Sequence, residues 1–214
     1  KSGAAIDYPC HPFSGNYIEK AYLIGFRLGD LNVYKDMDTS HRICARCGTT
    51  VSEQVDLIRS LFEPYGHVNL RQGTIGEMQI ECRLDLSFAF LLEKADRIPR
   101  WIAKDNDCFW AFTAGYTDAE GYIAVRLSAK HQQAVVEIGS CDLGILRGLS
   151  KGFHKRGVTS SLYYKGETSG GNDYYCLTIF RKDSLDAFFG GVDPYLRHAD
   201  KRARMERAWL VVKS

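Results

Sequence analysis

Apolar residues along the first part of the chain follow helical spacing first and strand spacing afterwards. Over residues 16–30 they recur at intervals of three and four, which is typical of an amphipathic helix. Residues 31–35 and 41–47 predict two strands, and residues 51–62 predict a second helix that ends before Pro64. Two more strands follow, and in the second of them, residues 77–84, polar and apolar positions alternate without a break. Residues 86–95 predict a closing helix.

The same order of elements starts again after Pro99. A helix ends near Glu120, strands follow at residues 122–128 and 133–138, and a helix covers residues 143–155. Strands at residues 160–165 and 174–180 flank a glycine-rich turn, and helices fill the remainder. Identical residues recur 91 positions apart: Gly48, Phe62 and Gly66 return as Gly139, Phe153 and Gly157.

This repeat predicts an α+β fold made of two αββαββα units. Two similar units in one chain indicate approximate two-fold symmetry, as in a dimer fused into a single polypeptide. We expect an N-terminal extension over residues 1–15, a first half over 16–97, a linker over 98–106 and a second half over 107–214.

The first helix of each half carries small residues four apart and then an acid. The sequences are Leu-Ile-Gly-Phe-Arg-Leu-Gly-Asp over residues 23–30 and Thr-Ala-Gly-Tyr-Thr-Asp-Ala-Glu-Gly over residues 113–121. Residues four apart lie on one helix face, so two helix backbones could approach closely there. The predicted helix-interface residues are Gly25, Gly29, Gly115 and Ala119.

Each acid directly follows the last small residue of its helix, which would bring Asp30 and Glu120 together at one end of the helix pair. Two carboxylates at helix C-termini repel each other and the helix dipoles, and divalent cations would relieve both effects. Carboxylate oxygens suit Mg²⁺, with Mn²⁺ or Ca²⁺ as substitutes. We therefore predict a metal site comprising Asp30 and Glu120 with the preceding Gly29 and Ala119, suited to phosphodiester cleavage.

These two segments, in a repeated αββαββα order, resemble the paired motifs of single-chain LAGLIDADG homing endonucleases. The second motif matches closely, whereas the first has Arg27 at a usually apolar position and Leu31 in place of a glycine. We expect Arg27 on the solvent side of its helix. The resemblance covers the chain from about Tyr17 onward and implies a metal-dependent enzyme. Such an enzyme makes double-strand breaks in a long, pseudo-palindromic DNA site and leaves short 3′ overhangs.

The resemblance further implies that the antiparallel strands of each half form saddles whose polar faces bind DNA. Arginine can pair with guanine and glutamine with adenine, although any exposed sheet face is also polar. Gln79, Glu81 and Arg83 share one face of the strand over residues 77–84. Their expected counterparts in the second half of the repeat are Tyr174, Cys176 and Thr178. The predicted DNA-binding residues are Asn32, Tyr34, Arg42, Arg46, Gln79, Glu81, Arg83, Arg126, Ser128, Lys130, Gln133, Glu137, Tyr174, Cys176 and Thr178.

A lysine near the active site is also implied by the resemblance, just before or within the helix that follows the strands of each half. Lys104 and Lys201 occupy such positions and are the predicted catalytic lysines. Both also fit an ordinary surface role.

Composition adds constraints but no assignment. The net charge of +2 is too small to indicate a nucleic-acid partner, although residues 147–156 hold four bases and no acid, and residues 197–207 hold five bases. Such patches suit a phosphate backbone or a solvated helix face. No apolar run approaches about 18 residues, so no membrane span is predicted. Seven cysteines without a secretory signal favour an intracellular protein, in the cytoplasm or nucleoid of a prokaryote or in an organelle.

Two alternatives remain open at this level. Cys44 and Cys47 form a CxxC pair, but no second pair completes a zinc site, which favours small core residues. A non-cleaving nucleic-acid binder, either an intron RNA maturase or a DNA-binding regulator, could use the same fold. Both acids of the pair are present, which favours the monomeric, DNA-cutting enzyme.

Overall fold

The computed structural model describes residues 8–36, 41–73, 76–128 and 131–214. Within these ranges the chain alternates helices with pairs of strands, in the repeated order that the sequence predicts. None of the helices in these ranges has the length and apolar character that a membrane crossing requires. The α+β class with two four-stranded antiparallel sheets is therefore confirmed.

The first compact unit comprises Leu31–Glu93 and the segment before Gly15. Its antiparallel sheet has the strand order β1-β2-β4-β3, and α2 packs its buried residues against the apolar face. The strands and helix of this unit are β1 (Asn32–Lys35), β2 (Arg42–Thr49), α2 (Ser52–Phe62), β3 (Val68–Gln72) and β4 (Met78–Asp85).

The second compact unit comprises Gly15–Asp30 and Lys94–Ser214. Its sheet has the order β5-β6-β8-β7, which repeats the topology of the first unit strand for strand. Its elements are α1 (Tyr17–Asp30), α3 (Arg100–Lys104), α4 (Asn106–Glu120), β5 (Gly121–Ser128), β6 (His131–Ser140), α5 (Leu143–Lys155), β7 (Ser161–Glu167), β8 (Asp173–Ile179), α6 (Lys182–Val192) and α7 (Ala199–Lys213).

The repeat and the compact units divide the chain differently. The sequence repeat assigns α1 to the first half, whereas its contacts group it with the second unit, beside α4. Inside the linker predicted for residues 98–106, Arg100–Lys104 forms the short helix α3. The half and linker boundaries remain predictions about the repeat.

One predicted helix is wrong in type and length. Residues 86–95 were expected to form a closing helix, but Leu86–Leu91 forms a 3-10 helix of six residues. The Asp85 carboxylate accepts a hydrogen bond from the Ser87 amide at 2.8 Å, which satisfies the first turn. Only Phe88 and Leu91 of this segment are buried, so the chain gains little by extending the helix.

Candidate active site and nucleic-acid interface

Glycines allow α1 and α4 to pack backbone against backbone. A Cβ atom at Gly25 would collide with the carbonyl oxygen of Phe112, and one at Gly115 would collide with that of Tyr22. Any side chain at either position would force the helices apart. The close contact compensates for the loss of about 0.5–1 kcal/mol that a glycine causes within a helix.

The same packing brings the ends of the two helices together. Asp30 is the last residue of α1 and Glu120 is the last residue of α4. A Cβ atom at Gly29 would overlap the Cβ of Ala119 and the side chain of Glu120. The structure therefore places Gly29, Ala119 and both acids at one end of the helix pair.

The charge of Asp30 influences the ionisation of Glu120. Burial raises the pKa of Glu120 to about 7, and repulsion from Asp30 adds to this shift. Asp142 acts in the same direction, while Lys201 and Lys94 oppose it. The Lys94 ammonium lies 3.6 Å from the Asp142 carboxylate. The site thus concentrates negative charge that the nearby lysines neutralise only in part.

Lys201 caps the C-terminus of α4. Its ammonium donates to the carbonyl oxygens of Thr117 at 2.9 Å and Ala119 at 3.0 Å, and also to that of Asp118. Burial lowers the pKa of Lys201, and the surrounding acids oppose this shift. A cation at this position compensates the partial negative charge of the helix end.

A buried carboxylate fixes the same helix end from the side. Asp118 is fully buried, and its Oδ2 accepts hydrogen bonds from the Tyr22 hydroxyl at 2.7 Å and from the Arg197 amide at 2.8 Å. The Arg197 guanidinium lies 4.3 Å from the centre of the Tyr22 ring and 3.1 Å from the Glu19 carboxylate. These contacts attach the segment before α7 to both motif helices.

The donor set of the site fits a hard divalent cation. Asp30 and Glu120 supply carboxylate oxygens, and a dication would reverse the repulsion that raises the pKa of Glu120. Across the described residues, no group of three or more His, Cys, Asp or Glu side chains is arranged to hold a metal. The remaining ligands would therefore come from backbone, water or substrate oxygens, and the Ala119 carbonyl already accepts a bond from Lys201.

The two departures in the first motif have structural explanations. Leu31 is only 5% exposed and belongs to the core, so the residue after Asp30 contributes apolar packing. The expectation that Arg27 lies on the solvent side is wrong, since its exposure is 6%. Burial lowers the pKa of Arg27, and the charge of Asp142 opposes that shift.

The structure separates the two predicted catalytic lysines. Lys201 lies at the site, engaged with the α4 carbonyls, whereas Lys104 is exposed at the end of α3 and lines a groove beside α5. Lys94, which the sequence analysis missed, acts on Glu120 instead. Lys94 follows the strands of the first half, which is where the resemblance implies a lysine, so its position could have indicated it.

The first unit presents the polar strand face that the alternation predicts. On β4, Ile80, Cys82 and Leu84 are buried, whereas Gln79, Glu81 and Arg83 lie on the opposite face. Glu81 pairs with Arg46 of the neighbouring strand β2 at 2.6 Å, and with Arg83 of its own strand at 3.3 Å. Burial raises the pKa of Glu81, but the bonds from these arginines more than offset it and lower the pKa overall.

The remaining predicted residues of this unit lie on β1 and β2. Asn32 is exposed, and the Arg46 guanidinium lies 5.0 Å from the centre of the Tyr34 ring. Arg42 donates to the Tyr8 carbonyl at 2.9 Å, so it also holds the segment before α1. Two residues of β3 that the sequence did not predict, Asn69 and Arg71, pair with Glu81 and Gln79 and line a groove on this face together with Arg46.

The second unit presents an analogous face with other side chains. Arg126 of β5 pairs with Glu137 of β6 at 2.8 Å, and Gln133 is exposed beside them. Thr178 of β8 donates to the Tyr163 hydroxyl at 3.4 Å. Ser128 ends β5, and Lys130 lies outside the described residues.

The expected correspondence between β4 and β8 is shifted by one pair. Gly48 pairs with Gln79 and Gly139 pairs with Cys176, so Gln79 corresponds to Cys176 rather than to Tyr174. Cys176 is 1% exposed, which corrects its placement on an accessible binding surface. Tyr174 packs over Gly139, where a Cβ atom would collide with its hydroxyl.

Exposed tyrosines on the strands of the second unit were also missed. Tyr122 on β5 and Tyr163 on β7 are 49% and 43% exposed. Tyr163 pairs with Cys176, and Tyr122 pairs with Glu137, so both belong to the polar face. Aromatic residues are common in the packed faces of strands, and only the register places these two on the polar face.

The CxxC pair has the geometry of a strand. Cys44 and Cys47 both lie on β2, where residues three apart point to opposite faces. Both are buried. The prediction that they are small packing residues is confirmed.

Comparison with known proteins agrees with this architecture. The family model of the LAGLIDADG-like domain matches residues 109–192, which span α4 to α6. No curated protein matches the sequence significantly.

Among solved structures, I-DmoI in complex with DNA and Ca matches with a TM-score of 0.61 and 17% identity, covering 89% of this chain and 98% of that one. The LAGLIDADG homing endonuclease I-GzeII in complex with its DNA target gives 0.58 and 12% identity, covering 94% and 90%. I-WcaI bound to its DNA recognition sequence gives 0.58 and 15%, covering 89% and 86%. The chain therefore has the fold of the LAGLIDADG homing endonucleases. Its second half contains a LAGLIDADG-like domain, and α4 carries that domain's motif.

Proposed function

We propose that this protein is a site-specific DNA endonuclease that depends on a divalent metal ion. The observation that supports it most directly is the pairing of Asp30 and Glu120 at the ends of two helices packed through glycines. A purely structural role gives no reason to face two carboxylates against each other in a partly buried site. Two such acids in one chain favour a monomer. The seven cysteines favour a protein that acts inside a prokaryotic cell or an organelle.

In this proposal Asp30 and Glu120 hold Mg²⁺, with Mn²⁺ or Ca²⁺ as substitutes. The bound cation would activate water and stabilise the leaving oxygen of a phosphodiester. The protein's own residues prepare the site: Lys201 fixes the end of α4, so the Glu120 carboxylate is held in place before substrate arrives. Lys94 supplies a further positive charge near Glu120.

The substrate that fits best is a long stretch of duplex DNA. Each unit carries a four-stranded sheet with one polar face, and the two faces share their topology but differ in side chains. That combination suits a pseudo-palindromic target whose half-sites differ in sequence. I-DmoI, I-GzeII and I-WcaI, which share the fold, have been solved with DNA, and I-DmoI with Ca and with Mn. We further propose double-strand cleavage with short 3′ overhangs.

The decisive experiment separates cleavage from binding in variants that keep the shape of each acid. Asp30→Asn and Glu120→Gln should each nearly abolish cleavage in Mg²⁺, because an amide lacks the charge that holds a hard cation. Binding measured in Ca²⁺ should persist, since fewer negative charges then face the DNA. The target is first found by selecting cleaved sites from a randomised duplex library.

Asp56→Asn provides the matched control, because Asp56 is an exposed acid on α2 that the proposal does not use. It should cleave like the wild-type protein. Unchanged cleavage by Asp30→Asn or Glu120→Gln would remove that residue from the proposed site. Wild-type protein that binds a selected site but never cuts it would instead favour the non-cleaving alternative.

A further inference from the structure

The second unit has a basic groove that the proposed activity does not use. It lies between the segment that leads through α3 and the helix α5, and it encloses about 490 Å³. Five cationic side chains and no acid line it: Arg97, Arg100, Lys104, Lys151 and Lys155. All five are exposed.

This groove lies along the flank of α5 that meets the segment before α3, where Gly148 and Gly152 line it. The helix packs Ile145, Leu149 and Phe153 into the core, and residues at helical spacing on the opposite side include Arg147, Lys151 and Lys155. A nucleic acid on the polar face of the sheet would be separated from these lysines by the sheet itself and by α5. The groove therefore cannot extend that interface.

The walls of the groove are held in a fixed arrangement. A Cβ atom at Gly144 would collide with the carbonyl of Asp96, one at Gly148 would press on Ile98, and one at Gly152 would collide with the Phe109 ring. These close approaches seat both the segment before α3 and the first turn of α4 against α5. The groove is consequently a built feature of the unit rather than a loose loop.

The cations of the groove differ from a neighbouring arginine that has a structural task. Arg156 donates to Asn106 at 3.0 Å, and its guanidinium stacks 3.9 Å from the centre of the Phe109 ring. By contrast, Arg97 makes only an exposed pair with Asp96 at 3.1 Å, and the ion pairs found in the described residues include no other cation of the groove. The other four cations thus lie around one groove with no ion-pair partner among the described residues, and an anionic ligand would relieve their mutual repulsion.

We propose that this groove binds the phosphate backbone of a second, single-stranded nucleic acid, separately from the duplex target. Its concave shape suits one strand, and its floor of Ile98, Ala103 and the α5 glycines offers no base-reading polar groups. Recognition would therefore follow charge and shape rather than sequence.

The test measures binding of a fluorescent single strand of mixed sequence to the full chain already saturated with its duplex target in Ca²⁺. Lys151→Gln/Lys155→Gln should weaken this binding about tenfold, because both lysines are exposed and each solvent-screened ionic contact contributes only modestly. The slope of log affinity against log salt should fall by about 1.4, at roughly 0.7 per phosphate contact on a single strand. RNA and DNA versions of the probe show which strand the groove prefers.

The control Lys182→Gln/Lys213→Gln removes the same charge from exposed positions of α6 and α7 and should bind the strand like wild type. Equal losses in both variants, displacement of the strand by excess duplex target, or capture of a phosphoserine peptide in preference to the strand would each overturn the proposal. Duplex cleavage should be unchanged in Lys151→Gln/Lys155→Gln. Failure of the endonuclease proposal would appear as absent cleavage with strand binding intact.

Discussion

The motif helices α1 and α4 meet through equivalent glycines, yet their ends lie in different surroundings. At the end of α4, Asp118 is fully buried and bonded to Tyr22 and to the Arg197 backbone, and Lys201 caps the last carbonyls. The equivalent position in α1 is Leu28, which is 2% exposed in the core. Leu31, the residue just before β1, is 5% exposed.

This contrast teaches that one backbone geometry can be held by two kinds of interaction. At position 118 of α4 polar contacts act through specific donors and acceptors, whereas at the equivalent position 28 of α1 a leucine contributes buried apolar volume. The helix contact in the middle is the same for both, because Gly25 and Gly115 each meet a carbonyl of the partner helix. Substitutions in the middle should therefore have equal effects in both helices, and substitutions at the ends should not.

The largest effect is expected where the helices touch. Gly25→Ala and Gly115→Ala should each lower the free energy of unfolding by more than about 3 kcal/mol, since a Cβ atom collides with backbone that cannot move alone. Urea denaturation followed by circular dichroism measures this.

Gly190→Ala is the matched control, because a Cβ atom at this α6 position meets only the Trp209 ring at 4.0 Å. It should be neutral or stabilise by about 0.5–1 kcal/mol. Two helix-contact variants that differed strongly from each other would contradict the equivalence of the two glycines.

The next effect concerns the buried carboxylate of α4. Asp118→Ala should destabilise the protein by about 2–3 kcal/mol, because the buried Tyr22 hydroxyl and Arg197 amide lose their acceptor. Combining it with Tyr22→Phe should cost less than the sum of the single changes, since the phenyl ring leaves no hydroxyl unsatisfied. Strict additivity in denaturation experiments would show that this hydrogen bond contributes nothing.

A smaller effect distinguishes positioning from direct participation in the chemistry. Lys201→Met should lower the free energy of unfolding by about 1–3 kcal/mol through the lost cap of α4. If Lys201 only positions the helix end, Lys201→Arg should restore stability and much of the cleavage rate. Loss of cleavage in Lys201→Arg with stability restored would make Lys201 a catalytic residue.

Lys94→Met should leave stability nearly unchanged, because its pair with Asp142 is long and exposed.

Much of this architecture could be predicted from periodicity, because helical and strand spacing reflect burial directly. The alternation on β4 predicted which side chains share a face, and the glycine spacing predicted which helix faces meet. The register between strands could not be predicted from the sequence. Cys176 and Tyr174 lie on the same face of β8, and only the pairing of the strands shows that Cys176 is the buried one. Asp142 could not be predicted, because no local pattern connects its segment with Glu120, whereas Lys94 differs in that its position after the strands of the first half offered a signal.

The smallest effect is a pH dependence that differs between the two acids. Glu120 has a pKa of about 7 in the folded protein, against an ordinary value of 4.5, because of burial and then repulsion from Asp30. The folded state therefore binds more protons than the unfolded state between about pH 4.5 and 7, so stability without metal should fall as the pH rises through this window. The Glu120→Gln side chain cannot ionise, so the gain in unfolding free energy of this variant over wild type should be absent below pH 4.5 and complete above about 7.

Asp30→Asn sharpens this test, because it removes only the second cause of the shift. Burial continues to raise the pKa of Glu120 in that variant, so the pH range over which stability falls should narrow without disappearing. Both effects should be modest, since the two acids keep some solvent exposure that screens their charges.

Urea midpoints measured in a metal chelator from pH 4 to about 8 give the stability profiles of wild type, Glu120→Gln and Asp30→Asn. Parallel profiles for wild type and Glu120→Gln would mean that Glu120 ionises normally in the fold. Equal profiles for Glu120→Gln and Asp30→Asn would mean that mutual repulsion, rather than burial, controls the pair.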